Sequence, residues 1–325
     1  MDVHDSLSKK GVTNMKPAKQ LPKVAIGMLC LTFVLLFVGC GSGGKELTYT
    51  LSEDGSYYEV KAEREQNLKT TSITVPGTYK DKPVVLVAEA FYGLPALETV
   101  VVEGAKEIAS HAFMSCPQLK EIEIKGCKSV GERAIRSCQN LEKITIGDGV
   151  ETIEKDCLVD CPNVNALVLG KDLKEIGKNA FSHCGKLTEL VLPTEKELVI
   201  GDNAFEYCGI SELKIPANVR LGSYTFGHLA WGVTNEGKEV SKCKSAYFYS
   251  TEPTKEYLGT NSIGFTWDRS EADDAVLGDF MIYVPEGYED VYETLMIDEC
   301  DESWARCVLS RGRLATFNPE EYPYK

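Results

Sequence analysis

The chain is 325 residues long and carries 35 basic against 49 acidic residues, a net charge of −14. Residues 1–40 hold five Lys and two Asp; without them the balance is 30 against 47, a net of −17. A surface this acidic excludes nucleic acid and anionic lipid as electrostatic partners, and it suits a soluble, monomeric protein displayed at a surface.

The first element is a hydrophobic run. Residues 24–39 read VAIGMLCLTFVLLFVG after a stretch holding Lys16, Lys19 and Lys23. Sixteen residues are short for a spanning helix and suit the apolar region of a signal peptide. The run ends FVGC and is followed by GSGGKE, which resembles a bacterial lipoprotein signal cut before Cys40. That resemblance implies a diacylglycerol on the Cys40 thiol; an uncleaved membrane anchor is the rival reading. Phe37 stands where Leu is commoner. Translation from Met15 would give a basic leader of ordinary length, so residues 1–14 are read as an artefact of the assigned start.

Next come residues 46–63, ELTYTLSEDGSYYEVKAE, which alternate on each side of Glu53-Asp54-Gly55. Asp-Gly between two alternating runs predicts a β-hairpin, placed to cover the segment C-terminal to it.

From Leu97 the chain repeats itself. Units start at Leu97, Leu119, Leu141, Val164, Leu187 and Ile210, with spacings of 22, 22, 23, 23 and 23 residues. A fixed period of this size predicts a solenoid. Each unit opens L-x-x-I-x-I, as in Leu119, Ile122 and Ile124. The last two apolar positions alternate with an outward residue, which is strand spacing. A turn comes after them, often with Gly or Pro (Gly104, Gly126, Gly147, Gly170, Pro193, Pro216). Then come an inward residue (Ile108, Val130, Ile153, Ile176) and a short A-F-x-x-C stretch, clearest at Ala112-Phe113, Ala180-Phe181 and Ala204-Phe205. That stretch is too short for a full helix and is expected to form a single turn. One unit cannot bury its own apolar face, but stacked units share a continuous core. Burying about five Leu, Ile or Phe per coil at roughly 1.5–3 kcal/mol each stabilises such a stack without metal or cofactor.

This pattern resembles the BspA-type bacterial surface leucine-rich repeat, L-x-x-I-x-I-P-x-x-V-x-x-I-G-x-x-A-F-x-x-C. Upstream, residues 72–91 are similar to that family's first unit. Downstream, residues 280–295 are similar to its terminal unit, a strand ending V-P-x-G before a helix. The expected fold is an α/β repeat solenoid. It is a right-handed leucine-rich-repeat stack with one parallel strand per coil, a hairpin N-cap and an irregular, helical C-cap. The expected organisation is a lipoprotein signal over 1–40, a flexible linker over 41–45, the hairpin cap over 46–71 and the solenoid over 72–229. Residues 230–325 then supply an irregular insertion, a terminal repeat and a helical cap. The resemblance implies adhesion to host matrix proteins or to other cells.

The chain has 12 cysteines. Cys116, Cys138, Cys161, Cys184 and Cys208 occupy one position of successive coils, and Cys157 replaces the Ala of an A-F step. A metal ladder or a disulfide stack is conceivable, but parallel Cβ vectors favour packing, with Cys as a small buried apolar residue. No C-x-x-C occurs and no His completes a zinc set, so no metal is expected. Cys300 and Cys307 cannot bridge each other along one helix, and either could pair with Cys243. The four histidines, His4, His111, His183 and His228, fall at non-equivalent positions, and no nucleophile, zinc-protease or phosphate-loop motif is present. No enzyme activity and no cofactor are expected.

What the repeat does not dictate is its outward surface. The strand positions that face out are Thr99, Glu121, Lys143, Ala166, Glu189 and Glu212, and beside them Val101, Glu123, Thr145, Val168, Val191 and Lys214. Ala166, Val168 and Val191 make an apolar middle flanked by acids, as binding patches do; alternatively, the β-branched residues simply favour strand. Residues 230–279 gather Trp231, Tyr247, Tyr249 and Trp267, either as an aromatic platform for sugar or peptide or as a seal on the last coil. The helix expected after Pro285, with Tyr288, Val291, Tyr292 and Leu295 on one stripe, would complete that seal. The function expected is recognition of a protein at the cell surface, through a lipid-anchored monomer. A glycan-binding module of a nutrient-capture system and a structural envelope scaffold are the alternatives.

Overall fold

The structure, a computed structural model, describes residues 47–63, 69–229, 231–233, 239–241, 243–259, 262–263, 280–298, 309 and 312–324. Cys40, Trp267, Cys300 and Cys307 lie outside the described residues.

The repeats form a right-handed leucine-rich-repeat solenoid in which each ordinary coil contributes one full parallel strand. The strands Ser72–Pro76, Thr99–Glu103, Glu121–Lys125, Lys143–Ile146 and Ala166–Leu169 pair in that order. Their register is set by the repeat: Val100 lies beside Ile122, and Ile144 beside Ile122 and Leu167. Apolar residues at every second position therefore meet on one side, and Ile122, Ile124, Ile144 and Ile146 are wholly buried.

A second parallel ladder runs along the adjacent side, where the repeat pattern predicts only a single inward position. It is built from two- and three-residue strands: Glu107–Ile108, Ser129–Val130, Thr152–Ile153, Glu175–Ile176, Leu198–Ile200 and Val219–Leu221. The N-terminal hairpin forms as expected, Leu47–Leu51 against Tyr58–Ala62. It extends this second ladder through Lys82–Leu86. At its turn Gly55 takes a φ of 70° and Asp54 Oδ1 accepts the Ser56 N–H at 2.9 Å.

The A-F-x-x-C stretches make a third set of cross-links. Phe113 N–H donates to Ala134 O at 2.7 Å, Leu158 to Ala180 at 2.7 Å and Phe181 to Ala204 at 2.8 Å. Two residues per coil adopt left-handed backbone to aim these peptides at the next coil, for example Arg133 with Ser137, Asp156 with Asp160 and Asn203 with Tyr207. Asn and Asp enter that region readily, whereas Arg and Tyr do so at some cost. Inside, Phe181, Phe205 and Phe226 stack at 5.0 and 5.5 Å.

The cysteine column packs as a small apolar residue should, and each thiol also donates to a carbonyl of the preceding coil. Cys116 reaches Phe91 O at 3.2 Å, Cys138 reaches Phe113 O at 3.3 Å, Cys161 reaches Ile135 O at 3.3 Å and Cys208 reaches Phe181 O at 3.3 Å. All eight described cysteines are buried, and the seven in the coils, from Cys116 to Cys208, are free thiols.

At the C-terminal end a second main sheet joins Glu212–Ile215, Ser245–Phe248, Met281–Pro285 and Leu314–Phe317, all parallel. The terminal helix is Glu289–Asp298. It buries Tyr292 and Met296, while Val291 is 44% exposed. The expected stripe holds at Tyr288, Tyr292 and Leu295, which pack against the core, while Met296 joins them and Val291 falls just outside the arc. The Tyr292 hydroxyl donates to Ser250 O at 2.8 Å, tying the helix to the last coils.

Candidate functional site

The outward strand residues do form continuous rows, but over two sheets. Thr99, Glu121, Lys143 and Ala166 stand side by side, as do Val101, Glu123, Thr145 and Val168. Within these rows Lys143 Nζ is 2.6 Å from Glu121 and Lys125 Nζ is 2.6 Å from Glu123. Such exposed pairs add little stability, so their effect is to neutralise the face locally. At its far end the face turns apolar, with Val168 52% exposed.

The main ladder then stops. The fifth unit keeps the in-out alternation at Leu190, Val191 and Leu192, which are 7%, 59% and 0% exposed. Yet residues 187–193 form no strand, and Ala166–Leu169 is an edge. Glu189 and Val191 thus project from a segment that pairs with no neighbouring strand on the main side. One rung is missing at this break: in this ladder the residue after the second apolar position donates to the coil before, as Gly147 N–H does to Ile124 O at 2.7 Å. Pro193 and Pro216 occupy that position in units five and six and have no N–H.

Glu212 and Lys214 belong to the second sheet, where Lys214 lies beside Tyr247. The end of the chain folds back over this sheet. Tyr322 stacks on Tyr247 at 4.8 Å, takes Lys214 Nζ over its ring at 4.4 Å and donates its hydroxyl to Glu212 Oε1 at 3.0 Å. Tyr247 also stacks on Tyr283 at 4.5 Å. Tyr249 donates its hydroxyl to Tyr322 O at 3.2 Å and meets Tyr324 edge-on at 5.5 Å. Burial raises the Tyr247 phenol to about 12. Two members of the expected aromatic platform therefore pack under the tail. Trp231 lies in a short antiparallel ribbon, Trp231–Val233 with Glu239–Ser241.

Tyr324 reaches furthest. Its hydroxyl accepts the Leu192 N–H at 2.7 Å and donates to Leu192 O at 2.9 Å. It thereby satisfies both main-chain groups that the missing ladder leaves open toward the sixth unit. No sequence spacing signals this contact, which spans 132 residues.

Elsewhere, His228 Nδ1 lies 3.3 Å from Glu206 Oε1 in the buried turn side, and Tyr207 stacks on both His228 and His183. Among the described residues no three His, Cys, Asp or Glu side chains gather as a metal site, and no helix is long and apolar enough to cross a membrane.

A stack of short coils with paired strands on one side and an exposed outward face defines a leucine-rich-repeat scaffold, whose architecture supplies surface rather than chemistry. Six copies of the BspA type leucine rich repeat region match residues 106–230, and these coils belong to that repeat family. Among solved structures it is similar to a leucine rich cell surface protein from Faecalibacterium prausnitzii A2-165. That match has 16% identity over 77% of this chain and 76% of that one, with a TM-score of 0.47. It is also similar to a leucine-rich repeat protein from Eubacterium ventriosum, with 22% identity over 50% of each chain and a TM-score of 0.40. The T. pallidum leucine rich repeat protein gives 16% identity over 66% of this chain and 84% of that one, with a TM-score of 0.37. No curated protein matches the chain.

Proposed function

We propose that this is a non-enzymatic recognition protein of the bacterial cell surface, lipid-anchored through Cys40, that binds a protein partner with the outward face of its main strand ladder. The observation that carries this reading is the face itself. Its rows from Thr99 to Val168 are fixed in register by the core, locally charge-paired, and end in an exposed apolar pair, Val168 and Val191, at the ladder break. A rigid face with charge-paired rows and an exposed apolar end suits a protein partner. The repeat accounts for the Leu/Ile pattern and the cysteine column without calling on chemistry.

The test compares the wild type with Val101→Lys/Thr145→Lys and with Val168→Lys for binding to immobilised extracellular-matrix proteins. All three positions face outward, so folding is retained. Weakening by about tenfold or more, the worth of roughly 1.4 kcal/mol, is expected; equal binding by all three proteins would remove the face from the account. The anchor is tested separately: Cys40→Ala should abolish incorporation of labelled fatty acid, and undiminished labelling would refute the assignment.

A further inference from the structure

We infer that the seam between the fourth and fifth coils receives a tyrosine side chain from a protein partner; this rests on the reading of the strand face as a binding surface and names the chemistry it recognises.

The seam is open. Leu167 and Leu169 are inward residues, yet they are only half-buried, whereas their neighbours Ile144 and Ile146 in the preceding coil are wholly buried. In this ladder the N–H and C=O of inward residues point to the following coil, as when Ile215 O accepts the Tyr249 N–H at 3.0 Å. Leu167 and Leu169 thus aim their main-chain groups at the fifth coil, and among the described residues no hydrogen bond joins them to it. The group that would donate to Leu169 O is the nitrogen of Pro193, which carries no hydrogen.

The seam is also narrow. The same two coils are held together before it by Lys186 N–H to Pro162 O at 3.3 Å, and beyond it by the pairing of Glu175 with Val199 and Ile176 with Ile200. Inserting a strand would need roughly twice the usual spacing of about 4.8 Å, which those clamps forbid. A side chain can enter where a backbone cannot.

The chain itself shows which side chain fits. One coil further on the same fault recurs, with Leu192 facing Pro216, and there Tyr324 fills it, accepting from the N–H and donating to the C=O. Of the side chains that can do both (Ser, Thr, Asn, Gln, neutral His and Tyr), Tyr alone carries a terminal hydroxyl on a large flat apolar body. A lysine cannot accept, a carboxylate cannot donate, serine and threonine are too short, and phenylalanine can do neither. A phenol has a flat apolar body and a hydroxyl at its tip. The rim of the empty seam carries Val168 and Val191, the two most exposed large apolar side chains among the described residues, against which such a ring would lie.

The experiment uses the full chain, isotope-labelled, titrated with the synthetic octapeptide NPEEYPYK, the sequence of residues 318–325, and with a version carrying Phe for both Tyr. Saturable amide shifts at Leu167, Leu169 and Val191 are expected with the tyrosine peptide, with affinity about tenfold weaker for the phenylalanine peptide. Val168→Glu should suppress the shifts. Equal affinities of the two peptides would overturn the inference, as would shifts confined to Leu192, where the peptide would only be exchanging with the chain's own tail. If the seam fails while Val101→Lys/Thr145→Lys still weakens matrix binding, the face stands and only the tyrosine slot falls.

Discussion

Replacing Tyr324 by Phe isolates one hydroxyl. The ring keeps its edge contact with Tyr249 at 5.5 Å, and what is lost is the pair of hydrogen bonds to Leu192, 2.7 and 2.9 Å long. Each neutral hydrogen bond contributes about 0.5–1.5 kcal/mol net, so the pair is worth about 1–3 kcal/mol. Water can reach a seam at the surface and replace part of this, which places Tyr324→Phe at about 1–2 kcal/mol. Urea titration should show the lower midpoint, and amide exchange should locate it, with Leu192 exchanging faster and Ile144 unchanged. The phenol adds a pH signature. Burial raises it from 10.0 to about 12, so the folded chain holds the proton after the unfolded chain has released it. Its contribution is intact below pH 10 and declines as pH rises from about 10 to about 12; Tyr324→Phe should lose that part of the alkaline slope. An unchanged Leu192 exchange rate in Tyr324→Phe would refute the role of the tail as a ladder substitute.

Other positions give equally direct expectations. Phe113→Ala removes a wholly buried ring stacked on Phe91 at 5.1 Å and should cost about 3–5 kcal/mol in urea unfolding, with Phe113→Leu much milder because Leu158 already fills the same column; equal costs would argue against the stack. Burial raises the Cys116 thiol to about 11 and pushes Cys138 well above its ordinary value, so a thiol reagent at pH 8 should modify none of the seven buried coil cysteines until the protein unfolds. Fast reaction of any of them, read by mass spectrometry, would contradict the packing. Val168→Glu and Val191→Glu place charge on exposed sites and should change stability by no more than about 0.5 kcal/mol; larger losses would mean that these valines belong to the core.

The inward half of the fold was legible because the solenoid makes the same demand in every coil. L-x-x-I-x-I yields a strand with two buried positions, A-F a buried ring, and the last Cys a small donor beneath a carbonyl. The second ladder was less legible, since a two-residue strand such as Thr152–Ile153 has no alternation to read and shows only its one inward residue. The left-handed turns were hidden because Arg133 and Tyr207 carry no glycine signal; the inter-coil hydrogen bonds hold them there. Alternation also misled at residues 190–192, which read as a strand. The pattern dictates which way a side chain faces, whereas pairing depends on the neighbour's donors, and a proline removes one without disturbing the pattern. The tail contacts were invisible for another reason: Tyr322 meets Glu212 across 110 residues, and nothing local encodes them.

That contrast bears on where specificity can reside. A repeated inward position carries the same information in every coil, so it fixes the stack and distinguishes no ligand. Distinction has to come from what the repeat leaves free, the outward rows, or from where the repeat fails. Here both coincide: the apolar end of the outward face, Val168 and Val191, flanks the stretch in which consecutive described coils are unpaired on the main side. Of the two faults bordering that stretch, the chain closes one with its own tyrosine and leaves the other with the main-chain groups of Leu167 and Leu169 unpaired toward the fifth coil. A sheet that ended there by chance would be expected to expose two similar seams. The tail instead makes them different, and only the uncovered one adjoins the rows that a partner can reach.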